Sequence, residues 1–202
     1  MKTGPAHGRV RTETVRNMAS RTTNAGPQQV TTIAHVESPT EQRNPRTTDI
    51  DRMSTRGILT AINTEDSQVA GAVQAVLDEV ATAVDHAVAA LREGGRVHYV
   101  GAGTSGRLAV LDAAELVPTY NVPPDWFVAH HAGGERALRL PVENAEDDES
   151  AGASEIAESV EPGDFVLGLT ASGRTPYVLG ALKEAKRLGA RTGLVSDNPP
   201  FQ

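Results

Sequence analysis

Val97-His98-Tyr99-Val100-Gly101-Ala102-Gly103-Thr104-Ser105-Gly106-Arg107, running on through Leu108 and Leu111 to Glu115, is the stretch from which the fold is read. Val97, Tyr99 and Val100 are β-formers, and Gly101, Gly103 and Gly106 let the backbone turn tightly with no Cβ in the way. A helix over 107–117 should follow. Thr104 and Ser105 set hydroxyls where the free N–H groups of that helix start would point, and such a start attracts an anion. Phosphate is its natural occupant. Gly101, Gly103 and Gly106 also fit the dinucleotide pattern G-x-G-x-x-G. That pattern wants an acidic residue closing the second strand to hold the ribose hydroxyls. Here Trp126-Phe127-Val128-Ala129 runs into His130-His131-Ala132-Gly133-Gly134, so a nicotinamide dinucleotide loses much of its support.

Downstream the strand, loop, helix order repeats. Strands are expected at 97–100, 126–129, 165–169 and 192–195, and helices at 107–117, about 150–160 and 176–188. Short apolar strands alternating with helices imply an α/β fold, a three-layer parallel sheet with right-handed crossovers and helices on both faces. Its ligands should sit beyond the carboxyl ends of the strands. Only Ser196 to Gln202 follow the last strand, so the sheet is expected to be incomplete at its C-terminal side.

Upstream, a short helix is expected at 54–63, capped by Ser54 or Thr55. A longer one, capped by Thr64, carries Val69, Val73, Val76, Leu77, Val80, Val84, Val88 and Leu91 at helical spacing and ends at Gly94 and Gly95. Residues 38–54 are turn-rich, with Pro39 and Pro45 blocking regular structure. Residues 1–37 are polar and Arg-rich with no apolar periodicity, and read as a disordered tail. An organelle transit peptide has similar composition, but no amphipathic stripe supports it. An upstream extension would look the same. Three regions result: the tail at 1–37, a turn-rich and helical segment at 38–95, and a ligand-binding domain at 96–202.

The 202 residues give room for one α/β domain. Absence of cysteine excludes disulfides, thiolate zinc sites and cysteine nucleophiles. A formal charge of −7 argues against a nucleic-acid partner. No apolar run approaches the roughly 20 residues that span a bilayer, and no secretory segment is present, so no membrane and a cytoplasmic location are expected. Aromatic content of 3% makes Trp126 and Tyr99 core anchors rather than a stacking platform.

A second turn matches the first. Thr170-Ala171-Ser172-Gly173-Arg174-Thr175-Pro176 follows the strand at 165–169 and opens a helix, with Pro176 near its favoured first position. Alone, Ser172 and Thr175 would read as helix caps. Two such turns at the ends of neighbouring strands could converge on one phosphorylated ligand, with Arg174 as a charged clamp.

That pairing resembles the sugar isomerase (SIS) domain family, whose paired Ser/Thr-rich loops hold a phosphosugar. The likeness goes further. Thr40-Glu41-Gln42-Arg43-Asn44-Pro45, Asp49-Ile50-Asp51, Ile62-Asn63-Thr64-Glu65-Asp66, Leu111-Asp112-Ala113-Ala114-Glu115, Pro118-Thr119-Tyr120 and Asn144-Ala145-Glu146-Asp147, with both glycine turns, together resemble the N-acetylmuramic acid 6-phosphate etherases. The resemblance implies a flavodoxin-like SIS fold and cleavage of the lactyl ether of a phosphorylated amino sugar, giving N-acetylglucosamine 6-phosphate and D-lactate. It implies substrate contacts from Gly103, Thr104, Ser105, Gly106 and Arg107, and from Ser172, Gly173, Arg174 and Thr175. Its two catalytic glutamates fall on Glu115 and Glu146. The family continues well past Gln202, so a C-terminally shortened relative is expected.

An ether beside an acidifiable carbon breaks by elimination followed by addition of water, with one carboxyl group as base and one as acid. No metal and no cofactor is required. Glu115 follows Leu108 and Leu111 on one helical face, so it should tend to the apolar side and have a raised pKa suited to the acid. Glu146 lies in an acidic run whose bland reading is a solvated loop. A helix from Arg107 to Glu115 spans roughly 12 Å, more than a hexose bridges. A site completed by a second subunit, in a homodimer, follows as an expectation; full activity of a diluted monomer would refute it. His130 and His131 are adjacent and should face opposite sides of a strand, so a joint metal site is not expected; His98 and His86 read as ordinary strand and helix positions. The alternatives are a non-catalytic phosphosugar-binding regulator and an aldose-ketose isomerase.

Overall fold

Proline and capping chemistry shape the start of the computed structural model, which describes residues 39–198. The tail expected at 1–37 lies outside the described residues, as do residues 199–202. Pro39–Glu41, Pro45–Thr47 and Ile50–Arg52 are single 3-10 turns, and the Asn44 side chain caps the second by accepting the Arg46 N–H at 2.9 Å. Helix α1 (Thr55–Asp66) begins as expected, with Ser54 Oγ accepting the Gly57 N–H at 3.2 Å.

The long helix expected from Thr64 is corrected. Thr64 lies inside α1 and its hydroxyl donates to the Thr60 carbonyl, while the apolar run is split into α2 (Val69–Gln74) and α3 (Leu77–Arg92). At the first break the Ser67 hydroxyl donates to the Thr64 carbonyl, a side chain competing with the helix ladder. At the second, Val69, Val73 and Val76 are exposed, so no partner surface holds the segment straight. The end of α3 is as expected: Gly94 is left-handed at φ +86°, and the Gly95 N–H returns to the Ala90 carbonyl.

Four parallel strands form the sheet: β1 (Val97–Gly101), β2 (Phe127–His131), β3 (Phe165–Leu169) and β4 (Arg191–Val195), in spatial order β2-β1-β3-β4. Val97 pairs with Phe127 on one side and Phe165 on the other, and Phe165 with Arg191. All four expected strands are present, β2 ending two residues later, on its two histidines.

Alternation along the strands divides the core into two layers. On one face Val97 and Phe165 pack with Ala90 of α3. On the other, Val100 and Val166 pack with Ile156 of α6 (Glu149–Ser159) and with Tyr177, Val178 and Ala181 of α7 (Pro176–Arg187). Each of the large side chains among them contributes about 1.5–3 kcal/mol by full burial. Helix α4 (Gly103–Tyr120) packs on β1 and β2 and starts four residues earlier than the sequence suggested, so Thr104, Ser105 and Gly106 form its first turn rather than a loop before it. It runs through Pro118 and stops at left-handed Asn121. The short α5 (Gly134–Arg139) was not anticipated, because Gly133 and Gly134 disguise its start. Trp126, expected as a core anchor, is 37% exposed.

Candidate active site

The order β2-β1-β3-β4 reverses the direction of chain progression at β1, so the carboxyl ends of β1 and β3 frame the crevice where such sheets bind ligands. A cleft of about 420 Å³ lies there, lined in part by Ser105, Asp112, Tyr99, Thr170, Ala171 and Asp197. Its walls come from both hydroxyl turns, Ser105 from the first and Thr170 and Ala171 from the second.

The first turn is held by close backbone approach. A Cβ on Gly106 would sit 2.6 Å from the Gly101 carbonyl oxygen and inside contact with the His131 ring, so only glycine lets α4 descend this far onto the strand ends. Ala102 caps α4 without a side-chain hydrogen bond, leaving the first N–H groups to the cleft side of the sheet. Gly106→Ala is therefore expected to destabilise the fold. Alanine recovers up to about 1 kcal/mol of helix propensity, but overpacking against backbone costs about 1–3 kcal/mol. A lower thermal midpoint is the measurement.

In the second turn Thr175, the residue before α7, makes no capping bond. Its hydroxyl instead pairs with that of Thr170 at 2.7 Å, and Thr170 also lies 3.4 Å from Ser172 Oγ, which accepts the Arg174 N–H. The three hydroxyls thus cluster beside the cleft wall. Gly173 is left-handed at φ +73°. Asn198 fastens the turn from behind, donating to the Ser172 carbonyl at 3.0 Å and accepting the Thr40 N–H at 3.2 Å.

The two arginines are placed differently from one another. Arg107 turns its guanidinium to the carbonyls of Ala137 and Leu138 and so closes the end of α5. Arg174 is half-buried and is not among the residues lining the cleft.

Glu146 is exposed, but its carbonyl accepts the Tyr177 N–H at 3.0 Å, which pins the loop carrying it to the first turn of α7 beside Thr175. Glu115 is exposed as well, and the burial expected for it is absent among the described residues: Leu108 is 58% and Leu111 57% exposed. With α4 starting at Gly103, Glu115 stands roughly 18 Å along the axis from the phosphate turn. Neither glutamate is among the residues lining the cleft.

Sequence reading missed Asp112 and Tyr99 as cleft residues. Burial and a hydrogen bond to Asp112 push the Tyr99 phenol upward, so it is a proton donor across the working range of pH. Helical spacing was the available signal: Asp112 falls seven residues after Ser105, two turns along one face. His130 and His131 face opposite sides of β2 as expected, His130 toward Glu155 and His131 against Gly106. Among the described residues no cluster of histidine and acid side chains is suited to a metal, and no helix is long and apolar enough to cross a membrane.

The chain is 56% identical over 164 residues to N-acetylmuramic acid 6-phosphate etherase from Thermobifida fusca, covering 81% of this chain and 54% of that one. It is 52% identical over 160 residues to the etherase from Erwinia tasmaniensis, covering 79% and 52%. The chain thus spans about half the length of the curated relatives it matches. Among solved structures, a phosphoheptose isomerase from Francisella tularensis superposes with a TM-score of 0.57 at 24% identity, over 71% of this chain and 75% of that one. One from Neisseria gonorrhoeae superposes with a TM-score of 0.53 at 15% identity, over the same shares. These two share the fold. Residues 79–186 match the profile described as the glucokinase regulatory protein N-terminal SIS domain, and with more than half of its length inside that match the chain belongs to the SIS domain family.

Proposed function

We propose that this chain provides the phosphosugar-binding part of a carbon-oxygen lyase that cleaves the D-lactyl ether of N-acetylmuramic acid 6-phosphate, releasing N-acetylglucosamine 6-phosphate and D-lactate in the cytoplasm. The observation that carries the reading is the meeting of Ser105 and Thr170, from two separate hydroxyl turns, on one cleft at the strand reversal. The names of relatives at 52–56% identity supply the substrate. In the ring-opened sugar C2 lies beside the aldehyde. A base removes the C2 proton, the C3–O bond to lactate breaks as an acid protonates the departing oxygen, and water then adds at C3. Glu146 is held by its carbonyl to the Tyr177 N–H and Glu115 lies far down α4; in the proposed homodimer each site draws one glutamate from each copy.

The exposed position of Glu115 favours one second reading, a phosphosugar-binding regulator without turnover. Incubating the chain with N-acetylmuramic acid 6-phosphate and following D-lactate decides between them. Lactate release supports the lyase, saturable binding without lactate supports the regulator, and a ketose product would point to an isomerase and overturn both. Under either reading Ser105→Ala and Thr170→Ala are each expected to weaken binding of N-acetylglucosamine 6-phosphate on the order of 10-fold or more, the worth of one hydrogen bond to a charged group. Calorimetric titration measures it.

A further inference from the structure

Behind the cleft, on the α6–α7 face of the sheet, five titratable side chains form one unbroken line. Asp164 Oδ2 lies 3.1 Å from His98 Nε2, His98 Nδ1 lies 3.0 Å from His130 Nε2, and His130 Nδ1 lies 3.2 Å from Glu155 Oε1. Glu155 Oε2 then accepts the Tyr177 hydroxyl. His98, His130, Asp164 and Tyr177 are buried, and Glu155, its side chain 44% exposed, is the half-exposed member of the line. The elimination chemistry uses none of them.

Counting hydrogens gives the inference. The line has four contacts, and each needs one hydrogen between its two heavy atoms. Two neutral imidazoles and one phenol supply only three. With both acids ionised, whichever tautomers the histidines adopt, one contact is left with two acceptors facing each other at hydrogen-bond distance, which is disfavoured. We infer that the line holds one additional proton at the His130–Glu155 contact, and that through Tyr177 this proton fixes the backbone of Glu146.

The surroundings select that contact. Asp164 stays ionised: burial works against it, but N–H groups of Glu161 and Arg96 and the charges of His98 and Arg96 hold its carboxyl below the usual range. His98 resists a second proton, because burial and the neighbouring His130 push it down to about 4. Glu155 is likewise held below its ordinary value, burial being outweighed by hydrogen bonds from His130 and Tyr177 and by the nearby His131. That leaves the His130–Glu155 contact, 3.2 Å long, as the place for the additional proton. Tyr177 transmits it, since its hydroxyl is gripped by Glu155 while its N–H holds the Glu146 carbonyl. Tyr177 and Glu155 are positioning residues for Glu146.

The test is the amide proton shift of Tyr177 by NMR against pH. In the parent chain a single step is expected as rising pH removes the additional proton. In Glu155→Gln the side-chain amide donates to His130 Nδ1 and its oxygen accepts the Tyr177 hydroxyl, so all four contacts are filled without the additional proton and the step should vanish. Tyr177→Phe is the second variant: without the hydroxyl that Glu155 accepts, the amide at 177 should no longer show the step. A parent without the step, a step that survives Glu155→Gln, or a step that survives Tyr177→Phe would each overturn the inference. Its bearing on catalysis rests on the reading of Glu146 given above. The amide readout does not, so an inactive chain with the expected step would fail the lyase and leave the relay standing.

Discussion

Glu146→Gln is expected to lower D-lactate release roughly 10²–10⁴-fold, the usual worth of a positioned acid or base, while leaving affinity for N-acetylglucosamine 6-phosphate nearly unchanged. Glutamine keeps the size and polarity of the side chain and removes only its capacity to exchange a proton. Because the Glu146 carbonyl is held by the Tyr177 N–H, the substitution leaves the loop's anchorage intact. A loss of only a few fold would return Glu146 to the acidic solvent-facing run it resembles in sequence. Glu115→Gln should cost a similar factor. Mixing the two inactive proteins then tests where the glutamates meet: in a symmetric dimer each mixed pair holds one site with both glutamates intact, so about a quarter of the parent activity should return. No recovery would place both acids on one chain.

The exposed rows around Glu115 give that arrangement its physical motive. Leu108 and Leu111 on α4 are more than half exposed, as are Leu59 and Val69 on the helices before the sheet. Exposed apolar side chains on one helix face, as at Leu108 and Leu111, mark a face that meets another surface. A partner covering the outer face of α4 would dry the surroundings of Glu115 and raise its pKa toward the value an acid catalyst needs.

The sheet was legible in the sequence because its signals are local. Val97 to Val100 and Phe165 to Leu169 are apolar runs too short for helices, each closed by a glycine and hydroxyl turn, and their alternation with helical segments leaves a parallel sheet as the economical arrangement. The hydroxyl turns were legible for the same reason. What failed depended on distant partners. Helical spacing in residues 64–91 recorded an apolar face but not whether anything packs on it, and there the helix breaks. Leu108 and Leu111 read as a buried stripe for Glu115, although among the described residues nothing buries them. The histidine relay was invisible because His98 and Asp164 stand 66 residues apart and meet only when β1 and β3 pair. In one dimension His98 is an ordinary strand residue.

Stability should fall as the pH drops from about 6.5 to about 4, and His98 is the main reason. Its folded pKa is lowered from 6.5 to about 4, by burial first and by His130 second, so the fold keeps the ring neutral where the unfolded chain would protonate it. Above 6.5 neither state takes the proton and nothing is lost. Below it the unfolded state gains protons first, and each unit of pH costs up to about 1.4 kcal/mol until the folded ring also titrates near 4. The accumulated loss is on the order of 3 kcal/mol, a large share of the roughly 5–15 kcal/mol that holds a domain together. The mechanism is visible in the geometry: with Nε2 committed to Asp164, a second proton on Nδ1 would face the donor His130 Nε2 at 3.0 Å. Asp164, held below 3.8, continues the decline in stronger acid as its carboxylate is at last protonated. His98→Gln isolates the effect, since glutamine can both donate and accept at this position without titrating. The variant should start less stable at neutral pH and lose little further between about 6.5 and 4, as read from denaturant midpoints across the range. Parallel curves for parent and variant would mean that other groups carry the acid sensitivity and that His98 is protonated as readily inside the fold as outside it.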